Sequence, residues 1–307
     1  MIELDLDILK NGQFVRQGIS YLGLMESRIK KSTSLLQPLF EAFSNSWEAV
    51  NDNNYEFKIE LYQNKAKNLF GEEYSFSSLQ IVDYGTGFTD ESFERFSNLF
   101  DKTKYKNNLG TGRIQFLHSF KYTQIDSIYI EKDGRKYQRR LLLSLSFEEK
   151  HKAVICAVPP ILIDDKDIEV RTIVAFFSSL NDEDNLKLNH IKCLDIKEII
   201  LKRYLNKFCL ERDNFRVVNI NHYVNEAYDS ANSVAIEPND IPAPDYEDTF
   251  HIHYSILGDK GKSIETCSAT EKFELRGYKL PSSILSKNEV RLTSKGESSP
   301  YLDVILH

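Results

Sequence analysis

Leu36, Leu39, Phe40, Phe43, Trp47 and Val50 recur at spacings of three and four, which predicts an amphipathic helix over residues 32–51 with one buried stripe. Glu41, Asn45 and Glu48 keep the same period on the opposite side, and read alone they are a solvated face. Alternation of apolar and polar positions predicts strands over residues 55–63 and 77–83. The polar stretch 64–76 between them reads as a loop. A short helix is expected from Asp90 to Phe100, with Thr89 or Asp90 as its cap. Residues 101–108 read as a polar loop carrying Lys102, Lys104 and Lys106, and Arg113 to Phe120 as a helix.

Past Phe120 the period changes to two. Strands are expected over 125–131, 136–146, 151–158 and 168–178, with Asp133-Gly134 as a hairpin turn. Helices followed by successive hairpins predict an α+β fold built as a two-layer α/β sandwich. The polar residues 181–189 read as a domain junction. A helix from about Asp195 to Leu210 follows, then strand and turn from Phe215 to Val224. Asp229 to Asp248 holds three of the eight prolines and reads as a loop. Phe250–Leu257, Ser263–Thr270 and Leu302–Leu306 are strand candidates. The expected division is residues 1–183 and a smaller α/β domain over 184–307. The chain stops at His307 directly after an apolar run, which suits a second domain cut short.

Composition narrows the class. A length of 307 residues suits two domains, and 41% hydrophobic with 28% charged residues is that of a soluble globular protein. No apolar run approaches the ~18 residues of a membrane span, and Met1-Ile2-Glu3-Leu4-Asp5 has no basic leader, so a cytoplasmic protein is expected. Cys156, Cys193, Cys209 and Cys267 lack metal or redox spacing and read as reduced thiols. A net charge of −7 argues against a broad nucleic-acid surface and leaves a local basic patch open.

Candidate chemistry concentrates in three short motifs. Glu41-x-x-x-Asn45 lies on the first helix, Asp83-x-Gly85-x-Gly87 ends a strand, and Gly110-Thr111-Gly112 precedes a helix. The first pattern is expected about once by chance in a chain this long, and the second in on the order of one chain in ten. Four of only 13 glycines fall between positions 85 and 112, where close backbone approach to a ligand would require them. Glu41 and Asn45, one helical turn apart, lie side by side. A carboxylate there can deprotonate a water, and an amide oxygen suits Mg²⁺, which keeps several waters. Asp83 at a strand end can accept from an exocyclic amine such as that of adenine. The Gly112 helix start offers free N–H groups to phosphates, and Lys102, Lys104 and Lys106 would close over them. His251-x-His253 places two imidazoles on one strand face without an evident third ligand. No Gly-x-Ser-x-Gly elbow or Walker lysine motif is present.

With these motifs the chain resembles the GHKL ATPase superfamily of gyrase B, heat-shock chaperone ATPases, MutL and histidine kinases. Glu41-Ala42-Phe43-Ser44-Asn45-Ser46-Trp47-Glu48-Ala49 is similar to its N box, and Asp83-Tyr84-Gly85-Thr86-Gly87 to its first glycine box. Asn107-Asn108-Leu109-Gly110-Thr111-Gly112 is similar to the second, and Arg171-Thr172-Ile173-Val174 to the strand whose Thr assists the adenine contact. Glu48, Ser46, Asn107 and Arg171 depart from the usual Asp, Ala, Gly and Gly.

The resemblance covers about residues 15–180 and implies the Bergerat ATP-binding fold, with a mixed, mainly antiparallel sheet. It implies Glu41 as hydrolytic base, Asn45 as Mg²⁺ ligand and Asp83 as adenine anchor. Gly85, Gly87, Lys102, Gly110, Thr111, Gly112, Arg113 and Thr172 would complete the ATP site. Residues 190–307 resemble a transducer domain, with Lys287, Arg291 and Lys295 as candidates for the γ-phosphate.

The expected function is Mg²⁺-dependent ATP hydrolysis driving a conformational or dimerisation switch, with a homodimer forming on ATP binding. The alternatives are a nucleotide-sensing module with little turnover and, less suited to a Glu at 41, a histidine kinase. Chaperone, repair, chromatin and phage-defence clients all use such an engine. A prokaryotic defence system is the setting expected from the overall appearance of the chain.

Overall fold

Helix α1 (Ile8–Asn11) and strand β1 (Gln13–Val15) open the chain, followed by α2 (Tyr21–Ser27), α3 (Gln37–Ala49), β2 (Phe57–Asn68), β3 (Gly71–Asp83), α4 (Asp90–Ser97) and α5 (Gly112–Ser119). Then come β4 (Phe120–Ile130), β5 (Lys136–Leu143), α6 (Ser146–His151), β6 (Ile155–Ala157), β7 (Ile161–Leu162), β8 (Arg171–Ser179), α7 (Asp182–His190) and α8 (Cys193–Leu210). Strands β9 (Val218–Val224), β10 (Ala227–Tyr228), β11 (Val234–Ile236), β12 (Tyr246–Leu257) and β13 (Ile264–Gly277) complete the main elements. This is a computed structural model, and it describes residues 1–15, 20–27, 30–50, 57–68, 71–98, 112–165, 167–257, 264–278, 293–294 and 297–298. The chain divides into two units, Met1–Ile200 with Arg216–Ile236, and Leu201–Phe215 with Glu237–His307.

In the first unit the sheet runs β1-β6-β5-β4-β8-β3-β2-β9-β10, with β11 on β9 and β7 on β5. Its ladders are antiparallel except β2 with β9, where Ile59 lies beside Ile220. This is the mixed, mainly antiparallel α/β architecture expected from the sequence. Successive residues of a strand face opposite sides. Leu79, Ile81 and Asp83 therefore share a face with their partners Phe176, Val174 and Thr172, and with Thr123, Ile125 and Ser127 of β4.

Helices α3 and α5 cover that face. The stripe read from the sequence is the buried one, since Leu39, Phe40, Phe43 and Trp47 are each no more than 3% exposed. Phe43 stacks on Trp47 at 5.4 Å and meets Phe57 edge-on at 4.9 Å, while Phe116 of α5 meets Phe176 at 5.3 Å. On the opposite face Ile8, Leu142, Phe147, Cys156 and Val158 form a second core cluster. The chain start is held to that face by side-chain amides. Gln80 Nε2 donates to Ile2 O at 2.9 Å, and Asp5 N donates to Gln124 Oε1 at 2.8 Å.

Several segments differ from the sequence reading. Most of the expected loop at 64–76 is strand. β2 and β3 pair out to Asn68 and Gly71, with a Lys65–Glu72 ion pair at 2.6 Å. The expected junction at 181–189 is mostly α7. Its N-cap Asn181 accepts from Asp184 N at 2.7 Å, and Asp182, Glu183 and Asp184 favour the positive end of the helix dipole. Residues 146–151 are helix, so the strand expected from 151 begins only at Ile155. Strand β9 joins the first unit's sheet through its parallel ladder with β2. A buried network fixes that end. His222 lies between Asp229 Oδ2 (3.1 Å) and Gln63 Oε1 (2.9 Å), and Gln63 Nε2 donates to the carbonyls of Leu188 and Asn189.

The second unit contains the long β12–β13 hairpin, which has a register shift between His253 and Ser255. Phe208 meets Phe215 edge-on at 5.0 Å, and Tyr278 Oη donates to Cys209 O at 3.3 Å. The expected strand at Leu302–Leu306, the side chain of His253, and Lys287, Arg291 and Lys295 lie outside the described residues. Among the described residues no helix is long and apolar enough to cross a membrane.

Candidate functional site

The polar side of α3 faces a cavity of about 410 Å³. Glu41, Asn45 and Glu48 line it from the helix, Asp83, Thr86 and Gly87 from the turn after β3, and Gly112 and Arg113 from the start of α5. Thr172 and Val174 of β8 and Ile125 of β4 form its floor. The period that keeps Leu39, Phe43 and Trp47 in the core points the polar set outward. Asn45 and Glu48 are exposed and Glu41 is half-buried.

Asp83 is 3% exposed. Burial pushes its carboxyl up to about 6, against hydrogen bonds from the Ser46 side chain and Gly85 N and the nearby charge of Arg216. The Gly85 N–H reaches Asp83 Oδ1 at 3.0 Å. Directly across the ladder stands Thr172, whose Oγ1 lies 2.9 Å from Ser127 Oγ. Ser127 Oγ also accepts from Phe88 N at 3.0 Å, fixing the far side of the glycine turn. Gly87 has φ +74°, and a Cβ there would lie 2.7 Å from Tyr129 Cβ, so conformation and space both demand glycine.

At the opposite end Gly112 begins α5 against Glu41. A Cβ on Gly112 would lie 2.3 Å from Glu41 Oε2. The other carboxylate oxygen accepts from Gln37 Nε2 at 2.6 Å, one turn earlier on α3. The catalytic candidate is thus held at one oxygen by Gln37, with the other beside a helix start whose first N–H groups have no intrahelical acceptor. Arg113 is buried, its guanidinium 5.1 Å from the Phe96 ring centroid.

The structure therefore brings Glu41, Asn45, Asp83, Gly85, Gly87, Gly112, Arg113 and Thr172 around or directly against one cavity. Lys102, Gly110 and Thr111 lie outside the described residues, as do Lys104, Lys106 and Asn107. Among the described residues no three His, Cys, Asp or Glu side chains are grouped to hold a metal ion.

Motif reading missed several residues of this site. Ser46 reads as a mild replacement, yet its side chain lies by Asp83 and favours the charged form of that carboxyl. Arg95 of α4 adds a cation to the cavity wall, and its Nη2 lies 3.3 Å from Ser92 Oγ. Thr89, one of the two caps expected from the sequence, does cap α4, accepting from Ser92 N at 3.2 Å. Arg139 fixes that cap from below: it donates to Thr89 O at 2.9 Å, pairs with Asp90, and lies between the Phe93 and Tyr129 rings. The spacing of Arg95 from Ser92 marks it as sharing a face of α4. No local signal marks Arg139.

No family model matches the sequence, and no curated protein matches it. Among solved structures, the ATPase region of Saccharomyces cerevisiae topoisomerase II bound to ICRF-187 (dexrazoxane) is similar at 16% identity, over 70% of this chain and 61% of that chain, with a TM-score of 0.37. The same yeast ATPase region without the compound named matches with the same figures. The matched part thus spans about 61% of the yeast chain.

Proposed function

We propose that the chain binds ATP with Mg²⁺ in this cavity, hydrolyses it, and uses the cycle to drive a conformational or dimerisation switch, with the second unit, Leu201–Phe215 and Glu237–His307, as transducer. The supporting observation is a buried carboxylate, Asp83, at one end of a cavity whose other end sets Glu41 against the glycine that starts α5. The residues present fit the nucleotide. A cavity of about 410 Å³ lies within the range of small-molecule sites. The missing side chain at Gly112 makes room for the Glu41 carboxylate, which a Cβ there would meet. Asn45, exposed on the cavity wall, offers the single neutral oxygen that a well-hydrated Mg²⁺ needs.

Asp83, steadied by Ser46 and Gly85 N, accepts from the exocyclic amine of adenine, with Thr172 beside it. The N–H groups at the start of α5 and the Arg113 guanidinium face the phosphates. Glu41 takes the proton of the attacking water. Asn45 would hold the metal, which would neutralise charge on the phosphate oxygens. Titration calorimetry with and without Mg²⁺ tests the reading, with binding strengthened by Mg²⁺ as the expected result. Absence of binding overturns it. Tight binding without turnover assigns the chain as a nucleotide sensor instead. ATP-dependent dimerisation is read from molar mass by light scattering.

Gly112→Ala tests the contact between Glu41 and α5. The added Cβ meets the end of a flexible side chain, so the carboxylate yields before the backbone does. Turnover is expected to fall about tenfold, since small misplacements of catalytic groups are costly, with the thermal midpoint little changed. Wild-type turnover in this variant would show that the contact does not matter.

A further inference from the structure

The last turn of α3 meets the adenine end of the cavity at two points. Ser46 lies close enough to Asp83 for its side chain to favour the carboxylate, and Ala49 O accepts from Thr86 N at 3.4 Å. The final carbonyls of a helix have no intrahelical donors, so something else must hold that turn in place. Arg216 does so. It is 7% exposed, and it donates to Trp47 O at 2.8 Å and Val50 O at 3.2 Å. Its guanidinium lies 4.3 Å from the centroid of the Trp47 ring. A cation at a helix C-terminus is favourable, and stacking on an indole adds to it. The planar fork serves two carbonyls at once, which a lysine ammonium on a flexible stem does less well. Along the chain, Arg216 is the first residue after the stretch Leu201–Phe215 that belongs to the second unit.

We propose that Arg216 is a positioning residue of the nucleotide site, clamping the last turn of α3 so that Ser46 and the Asp83 turn stay in register with each other. The inference rests on the adenine-nucleotide reading above. It predicts an effect confined to the base end of the ligand: adenosine and ADP lose affinity by the same factor.

The test compares Arg216→Met and Arg216→Lys with the unsubstituted protein. Adenosine and ADP affinities are measured by calorimetry, folding by circular dichroism, and the clamp by emission of Trp47, the only tryptophan. Arg216→Met is expected to bind both ligands roughly 5- to 30-fold more weakly, the factor for 1–2 kcal/mol. Its Trp47 emission should shift, and Arg216→Lys should fall between it and wild type. An arginine serving stability alone would lower the thermal midpoint and leave the affinity of the folded protein unchanged. Folded Arg216→Met that binds adenosine within twofold of wild type overturns the proposal. Should that variant fail to fold, wild-type affinity in Arg216→Lys overturns it instead. Wild-type protein that binds neither ligand overturns the nucleotide reading and this inference together, whereas wild-type binding with insensitive variants overturns the inference alone.

Discussion

Glu41→Gln is expected to slow ATP hydrolysis by roughly 10²–10⁴-fold, the usual worth of a general base, while ATP still binds. The substitution keeps the volume of the side chain and leaves an amide oxygen to accept from Gln37 Nε2, now 2.6 Å from Glu41 Oε1. The group therefore stays beside Gly112 but can no longer take a proton from water. The affinity contacts assigned to Asp83, Thr172 and Arg113 are untouched, so the effect should appear in kcat far more than in the dissociation constant. Single-turnover hydrolysis alongside equilibrium binding separates the two. A rate within a few-fold of wild type would place the base elsewhere. Weak binding together with slow hydrolysis would mean that Glu41 holds the ligand and does not activate water.

Local periodicity carried the site helix. The stripe from Leu36 to Val50 is set by spacings of three and four within a few turns, so it is visible without any tertiary contact. Its complement, Glu41, Asn45 and Glu48, follows from the same geometry. The Asp83 turn was legible because Gly87 takes a positive φ beside Tyr129, where glycine is demanded. The strands at 64–76 were not legible. There the hairpin extends past the core, most side chains are exposed or half-buried, and alternation is lost. Helix α7 has few apolar residues and owes its start to Asn181, which composition reads as loop. The parallel ladder of β9 with β2 joins residues about 160 apart, and pairing over such a distance leaves no local trace. The same holds for Arg139 and Arg216, buried cations whose partners are carbonyls and rings brought in by the fold. A motif records the groups that meet a ligand. The groups that hold those groups are chosen by packing, and many sequences satisfy the same packing.

Asp83→Asn is expected to raise stability and lower adenine affinity together. Burial lifts the Asp83 carboxyl to about 6 from an ordinary 3.8. Between those values the folded protein holds a proton that the unfolded chain releases, so stability falls as pH rises through that window. At neutral pH the buried carboxylate then costs about 3 kcal/mol at most, at about 1.4 kcal/mol per unit. Asparagine removes that cost and can still accept from Gly85 N. The variant should therefore unfold at higher urea than wild type at pH 7.5, and the gain should vanish near pH 3, where the wild-type carboxyl is protonated in both states. Binding moves the other way. The asparagine presents either one weaker acceptor or an N–H₂ that opposes the exocyclic amine of adenine. Mispairing a buried polar group costs about 1–3 kcal/mol, or roughly 5- to 150-fold in affinity. Urea titrations at the two pH values and adenosine calorimetry read both halves. A variant that is less stable at pH 7.5 and binds adenosine as wild type does would mean that the Asp83 carboxylate supports the fold and does not read the base. A more stable variant with weakened binding would identify it as a charge kept in the core for its ligand, at the expense of the fold.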